Sequence, residues 1–240
     1  MKIRIKFRKW GSMKFIGHLD MMRYFQKVMR RADVDIRYSE GFSPHQIMSF
    51  AAPLGVGITS DGEYFDIEVH STKSSAEMLQ DMNAVMVDGV EITGYVELPE
   101  NAKPAMSIVS AADYMLSFKD GYESPFTVEE WKTRVDELFT SQTTFTIMKK
   151  TKKSEREIDL KPLVYAFDVI EVDGKPAFYI YVSTGSVDNI KPELILMSLY
   201  EKMGMEYNES AIAIHRKDVY TIQEKTGKRI SLLDLGSEIK

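Results

Sequence analysis

Cysteine is absent from all 240 residues. Its absence excludes a disulfide framework, a thiolate metal site, a Cys nucleophile and a cysteine-held iron–sulfur cluster. It also argues against a small secreted scaffold and for the cytoplasm. Long apolar runs are missing too. None approaches the roughly 18 residues of a membrane span, so no membrane association is expected. The opening residues, MKIRIKFRKW, alternate basic and apolar side chains and lack the continuous apolar stretch of a signal peptide. There is no glycine–lysine phosphate loop and no G-x-G-x-x-G; Gly55-Val56-Gly57 is too short to stand for one. The histidines are His18, His45, His70 and His215, with no pair at helical i,i+4 spacing, which removes a zincin-like helix. Neither a metal site nor a resident cofactor is expected.

What remains is an ordinary globular composition, 44% hydrophobic and 28% charged, with room for one large domain or two smaller ones. The net charge of −5 hides an asymmetry. Residues 1–37 hold 11 Lys+Arg against 3 acids, or +8; the rest holds 20 against 33, or −13. A basic segment on an acidic body is a candidate for meeting a polyanion such as RNA.

Periodicity places the elements. Ile3, Ile5 and Phe7 alternate with Lys2, Arg4, Lys6 and Arg8, which predicts a half-buried strand. Over 18–32, Leu19, Met22, Phe25, Met29 and Ala32 recur at helical spacing. Residues 34–38 read as a second strand, and 39–62 as a Gly/Pro-punctuated loop with room for a short strand at 47–51. Strand 63–70, helix 74–86 and strand 90–97 complete a βαββαβ order, the ferredoxin-like unit. Residues 99–110, PENAKPAMSIVS, read as a linker. The pattern then restarts. Strand 112–118 precedes a helix to about 141, opened by Thr127 and Glu130 at capping-box spacing. Strand 143–149 follows, then a basic loop from Lys149 to Arg156. Strands 164–171 and 177–183 flank Asp173-Gly174, a hairpin signal. Helix 191–203 and strand 211–218 finish the order. The expected architecture is α+β: two tandem ferredoxin-like units with antiparallel sheets and helices on one face, at 1–98 and 111–223. Residues 224–240 are expected to be a polar, frayed tail.

Two clusters carry chemistry. Gly17-His18-Leu19-Asp20 opens the first helix. His18 and Asp20 suit either capping or a catalytic role, with His18 as a base kept neutral by the helix N-terminus. Tyr38-Ser39-Glu40-Gly41-Phe42-Ser43-Pro44-His45 puts an aromatic, a hydroxyl, a carboxylate and an imidazole in one loop. His18 and His45 are expected to share a cleft with Asp20, Tyr38 and Glu63 nearby. For binding, Arg23, Lys27 and Arg30 have no acid at i±4 and form the polyanion candidate, with Tyr38, Ser39, Phe42 and Glu63 alongside. The cations of the first strand, at 2–8, have a plainer fate open to them. Asp66 with Glu68, and Glu91 with Glu97, share strand faces and can neutralise Arg4 and Lys6 across a sheet. The run Lys149, Lys150, Lys152, Lys153 and Arg156 reads as solvated charge.

These residues resemble the radical SAM-linked protein family. Its pattern is roughly S-H-L-D-x-x-R, then Y-S-x-G-F-x-P-H-P, then S-F, then E-Y. His18, Leu19, Asp20, Arg23, Tyr38, Ser39, Gly41, Phe42, Pro44, His45, Ser49, Phe50, Glu63 and Tyr64 match it. Gly17 replaces the usual Ser, and Gln46 the usual Pro. Arg156, Ile158, Asp159, Pro162, His215 and Arg216 match a weaker C-terminal pattern. The resemblance implies a radical SAM enzyme as partner and a place in RNA metabolism. It supplies no reaction. Two readings follow. One is an accessory protein that binds RNA or a radical SAM partner. The other is a metal-independent RNA-processing enzyme using His18 and His45 as acid and base, an order of elements similar to CRISPR-associated endonucleases.

Overall fold

A computed structural model describes residues 1–150, 155–185, 188–223 and 225–240. The chain forms two compact units: residues 1–110 with 216–240, and residues 111–215. Both combine α-helices with antiparallel strands, an α+β architecture. No described helix is long and apolar enough to cross a membrane.

The first unit runs β1 (Lys2–Lys9), α1 (His18–Arg31), β2 (Met48–Phe50), β3 (Thr59–Glu68), α2 (Ser75–Asn83), β4 (Val90–Leu98) and the short α3 (Ala105–Ile108). β1 lies between β4 and β3, antiparallel to both, and β2 pairs with β3. Alternation along β1 turns Ile3, Ile5 and Phe7 into the core, where Phe25, Val28 and Met29 of α1 join them. The Phe7 and Phe25 rings meet edge to face at 4.8 Å. The α1 stripe is rotated from the expected one. Met21, Phe25, Val28 and Met29 are buried, whereas Leu19 is 61% exposed. α2 starts with a capping box in which Ser74 and Glu77 satisfy each other's backbone N–H groups.

The second strand is β2, not 34–38. Residues 34–38 make only the isolated bridges Ile36–Val69 and Tyr38–Gln46. Phe50 decides the choice: it stacks on Phe65 at 5.1 Å, and β2 takes its register from β3. The frayed tail is also corrected. Residues 216–240 hold most of β10 (Ile212–Ile222) and all of β11 (Arg229–Ser231), which pair with each other. Leu232 is fully buried, Ile239 packs on the core, and Ser237 exchanges backbone hydrogen bonds with Glu97. On the sheet face that carries Arg4, the Leu232 carbonyl accepts from the guanidinium and Leu233 lies against Gly94. The second unit therefore ends at His215, not at residue 223.

That unit runs β5 (Ala111–Phe118), α4 (Val128–Val135) with a π-helical turn Asp136–Thr140, β6 (Thr146–Lys150), β7 (Glu155–Asp159), β8 (Val164–Val172), β9 (Lys175–Ser183) and α5 (Pro192–Lys202). β9 pairs with both β5 and β8. β6 overlaps the strand expected at 143–149 and pairs with β7, which begins inside the segment read as a basic loop; the two form a separate sheet. The side chains of the basic run from Lys149 to Arg156 lie outside the described residues. The Thr127–Glu130 capping box forms, and Trp131 is buried against Phe178 at 5.0 Å. Asp173 and Gly174 both take positive φ, 51° and 74°, as a primed hairpin turn requires.

Candidate functional site

The alternation of β1 continues past Phe7 and carries Lys9 to the apolar face. The register against β3 slips here, with Phe7 opposite Glu63 and Lys9 opposite Ser60. Lys9 is only 3% exposed. Its Nζ donates to the Ile16 carbonyl at 3.1 Å, and no carboxylate lies within ion-pair distance among the described residues. Burial holds its ammonium below the usual lysine range; Glu63 opposes that shift and Arg216 adds to it.

Glu63 is held by Arg216. The guanidinium donates from Nε to Oε1 at 2.8 Å and from Nη2 to Oε2, and Nη2 also reaches the Ala52 carbonyl at 2.7 Å. Both side chains are buried, so this is a desolvated ion pair with satisfied donors. Gly62 allows β3 to come this close to β10, because a Cβ there would lie 2.6 Å from the Asp218 Cα. Next along β3, Tyr64 donates its hydroxyl to Asp218 at 2.5 Å and stands 2.7 Å from Ser231 Oγ. Burial, reinforced by Asp218, pushes the Tyr64 phenol well above its usual range.

Lys9, His18 and Glu63 line a cavity walled by Phe7, Met21 and Phe50. Its inner room, about 20 Å³, suits a single water. His18 is half-buried and meets Phe50 edge on at 5.2 Å. It is the first residue of α1 rather than its cap. Gly17 is the N-cap, and no side chain caps the helix. Asp20 is exposed and pairs with Arg23 at 3.1 Å.

His45 belongs elsewhere. Its ring Nδ1 is 2.9 Å from Ser39 Oγ, and its backbone N–H donates to the same oxygen at 3.1 Å. With Ser39 N–H donating to the His45 carbonyl at 2.8 Å, residues 39–45 close into a tight loop. Gly41 turns the loop at φ 107°, and Phe42 at its tip is fully exposed. Gln46 anchors the loop by donating to the Gln26 carbonyl of α1 at 3.2 Å and to Tyr38 Oη at 3.4 Å. His45 lines a second cavity of about 280 Å³ with Lys2, Ser49, Asp66 and Glu68. The expected single cleft is therefore two separate cavities: Glu63 and His18 line one and His45 the other, and neither is lined by Asp20 or Tyr38.

The basic strand face is neutralised. Arg4 forks onto Asp66 at 2.8 and 3.0 Å, Lys6 meets Asp218 at 2.8 Å, and Arg8 meets Glu91 at 2.6 Å. On α1, Arg23 is paired with an acid at i−3, a spacing the i±4 criterion passes over. Lys27 and Arg30 are exposed and have no ion pair among the described residues. Among those residues, no group of three or more histidine or carboxylate side chains gathers for a metal ion.

Lys9 and Asp218 escaped the sequence reading. The signal for Lys9 was present, since it sits two residues beyond Phe7 on the apolar side of a strict alternation. Asp218 had none, because nothing local ties it to β1.

A family model described as an uncharacterized protein conserved in bacteria (DUF2344) matches residues 2–192. No curated protein matches the chain. Among solved structures, a chain of "Crystal Structure of a Cbf5-Nop10-Gar1 Complex" is similar at 10% identity and a TM-score of 0.47. The match covers 90% of this chain and 48% of that one, so this chain spans about half of its length.

Proposed function

Since the chain belongs to the DUF2344 family of bacterial proteins, we propose that it is a cytoplasmic accessory protein that holds RNA for a radical SAM enzyme. The observation that carries the RNA part is the juxtaposition of α1 with the loop at 38–46. Lys27 and Arg30 are exposed cations with no ion pair among the described residues. Beside them, Gln46 fastens to α1 a loop that presents Tyr38, 48% exposed, and Phe42, wholly exposed. Cations that track phosphates and aromatic rings on which bases stack are the two components of single-strand binding. The radical SAM partner rests on the motif resemblance from Gly17 to Tyr64. A chain without cysteine leaves the cluster, and any radical chemistry, to that partner.

We read both units as ferredoxin-like. In the first unit β1 lies between β4 and β3 and β2 pairs with β3, and in the second β9 lies between β8 and β5; these pairings support that reading. The RNA-processing alternative needs His18 and His45 at one scissile bond, and their separate cavities give it no support.

The test is binding of a labelled single-stranded RNA across a salt series. Affinity should fall as salt rises. Replacing Arg23, Lys27 and Arg30 together with Glu should abolish binding with the circular dichroism spectrum unchanged, and Phe42→Ala should weaken it. Undiminished binding by the triple variant would make the α1 face mere solvated surface. Co-expression with a radical SAM enzyme encoded beside the gene should yield a complex; failure to co-purify would remove that partner.

A further inference from the structure

In the second unit the segments that follow β5 and α5 enclose a cavity of about 220 Å³, lined by Phe118, Tyr122, Glu123, Tyr200, Glu206 and Tyr207 among others. Both segments are held by their backbones. After β5, Gly121 takes φ 84° and Tyr122 N–H donates to the Lys119 carbonyl at 3.1 Å. After α5, Gly204 takes φ 67° and Met205 N–H donates back to the Tyr200 carbonyl at 2.9 Å. The backbone N–H of Lys119 donates to the Ala211 carbonyl at 2.9 Å and ties the start of one segment to the end of the other.

The lining is aromatic and acidic. It holds four rings and two carboxylates, and no lysine, arginine or histidine. Tyr200 and Tyr207 meet edge to face at 5.4 Å. Neither carboxylate has an ion pair or hydrogen bond among the described residues, and the hydroxyls of Tyr122, Tyr200 and Tyr207 have no hydrogen-bond partner there. Tyr200 is only 6% exposed, and a phenol so buried ordinarily finds a partner. The negative field extends past the lining. One carboxylate oxygen of Glu193 is buried without a hydrogen bond. Burial, reinforced by Glu193 and Glu209, holds the Tyr207 phenol above its usual range. The neighbouring cation, Lys119, donates its ammonium to the Ser210 carbonyl at 2.9 Å and does not line the cavity.

We propose that this cavity receives a guanidinium group, with its N–H donors meeting Glu123, Glu206 and the tyrosine oxygens and its planar faces lying against the rings. Aromatic faces attract an organic cation, and two carboxylates without a counter-ion add to that attraction. The unfilled acceptors select among cations. A quaternary ammonium has no N–H to give them. A guanidinium has five, forks onto carboxylates, stacks on rings and gives up its water more readily than an alkylammonium does. An arginine side chain of another protein and a free guanidino compound offer the same group. The site lies wholly within the second unit, whereas the RNA reading rests on α1 and the loop at 38–46 of the first, so either can fail alone.

The experiment titrates methylguanidinium, the planar but neutral methylurea, and tetramethylammonium in turn into the full chain at constant ionic strength, with the ring resonances of Tyr122, Tyr200 and Tyr207 as the readout. Methylguanidinium should bind about tenfold more tightly than methylurea, the scale of one charge-assisted hydrogen bond, and more tightly than tetramethylammonium. Glu123→Gln combined with Glu206→Gln should bring methylguanidinium down to the level of methylurea. Both positions are exposed, so the thermal midpoint should stay where it was. If the double variant does not fold, the comparison of the three probes on the unaltered chain decides alone. Equal affinity for methylguanidinium and methylurea would overturn the site, and tighter binding of tetramethylammonium would overturn the guanidinium. Arginine with both ends blocked and free arginine separate the two sources: preference for the blocked form supports a side chain of another protein, and preference for the free form supports a small guanidino compound.

Discussion

Strand β1 and helix α1 each carry a row of cations and deal with them differently. On β1, Arg4, Lys6 and Arg8 each meet a carboxylate at 2.8, 2.8 and 2.6 Å. On α1, Arg23 finds Asp20 at 3.1 Å on the open surface, while Lys27 and Arg30 have no ion pair among the described residues. The cause is geometric. A side chain on a central strand is surrounded by partners that register imposes, from strands remote in sequence. A side chain on the outer face of a helix has only its own i±3 and i±4 neighbours and water. Equal basicity therefore becomes internal architecture in one element and an outward-facing field in the other.

Removing Arg4 gives the largest expected effect. Its side chain is fully buried, and it also donates to the Leu232 and Lys103 carbonyls. Arg4→Met should cost about 3 to 5 kcal/mol in urea denaturation, because Asp66 is left as a poorly compensated charge. Adding Asp66→Asn should recover much of the loss. A loss under about 1 kcal/mol, the value of an exposed pair, would dissolve the contrast with α1.

Alkali should act next, and on the strand side. The unfolded tyrosines ionise near their ordinary value of about 10, while burial and Asp218 keep the folded Tyr64 phenol protonated to higher pH. Tyr200 is pushed up to about 12 by burial. The unfolded state thus loses protons that the folded state retains. This stabilisation is complete below about pH 10 and is lost as pH rises beyond it. Thermal midpoints should fall steadily above that point, and Tyr64→Phe should flatten the fall. A midpoint indifferent to pH between 9 and 11, a span set by those reference values, would refute the assignment.

The smallest stability effects should come from α1. Lys27→Ala and Arg30→Ala should each shift stability by less than about 0.5 kcal/mol. Each should also lower the salt slope of RNA binding by about 1 if it contacts a phosphate. A large stability loss at either position would mean that α1's cations are structural after all.

Local periodicity made β1, α1, α2, β4 and the Thr127–Glu130 capping box legible in the sequence, since each is set by residues within a few positions. β2 was visible only as an option, because Phe50 declares its role through Phe65, which lies far along the chain. The loop at 38–46 was recognisable by composition, but its attachment to α1 through Gln46 was not. Lys9 could have been read from alternation alone. The Glu63–Arg216 pair could not, since 153 residues separate the partners.

The segment 216–240 closes the sheet face that carries Arg4, and it leaves the ribosome more than 100 residues after the last strand of the helix-packed core, β4, which ends at Leu98. Residues 111–215 form their own compact unit in between. Synthesis from the N-terminus therefore produces the second unit while the first still lacks its cover, with Arg4 deprived of the Leu232 carbonyl. Domains that fold as units during synthesis usually do so in chain order; here the first to begin is the last to finish. Until then the Arg4 face of its β1–β3–β4 sheet is covered only in part, by the segment at Lys103 and Ala105.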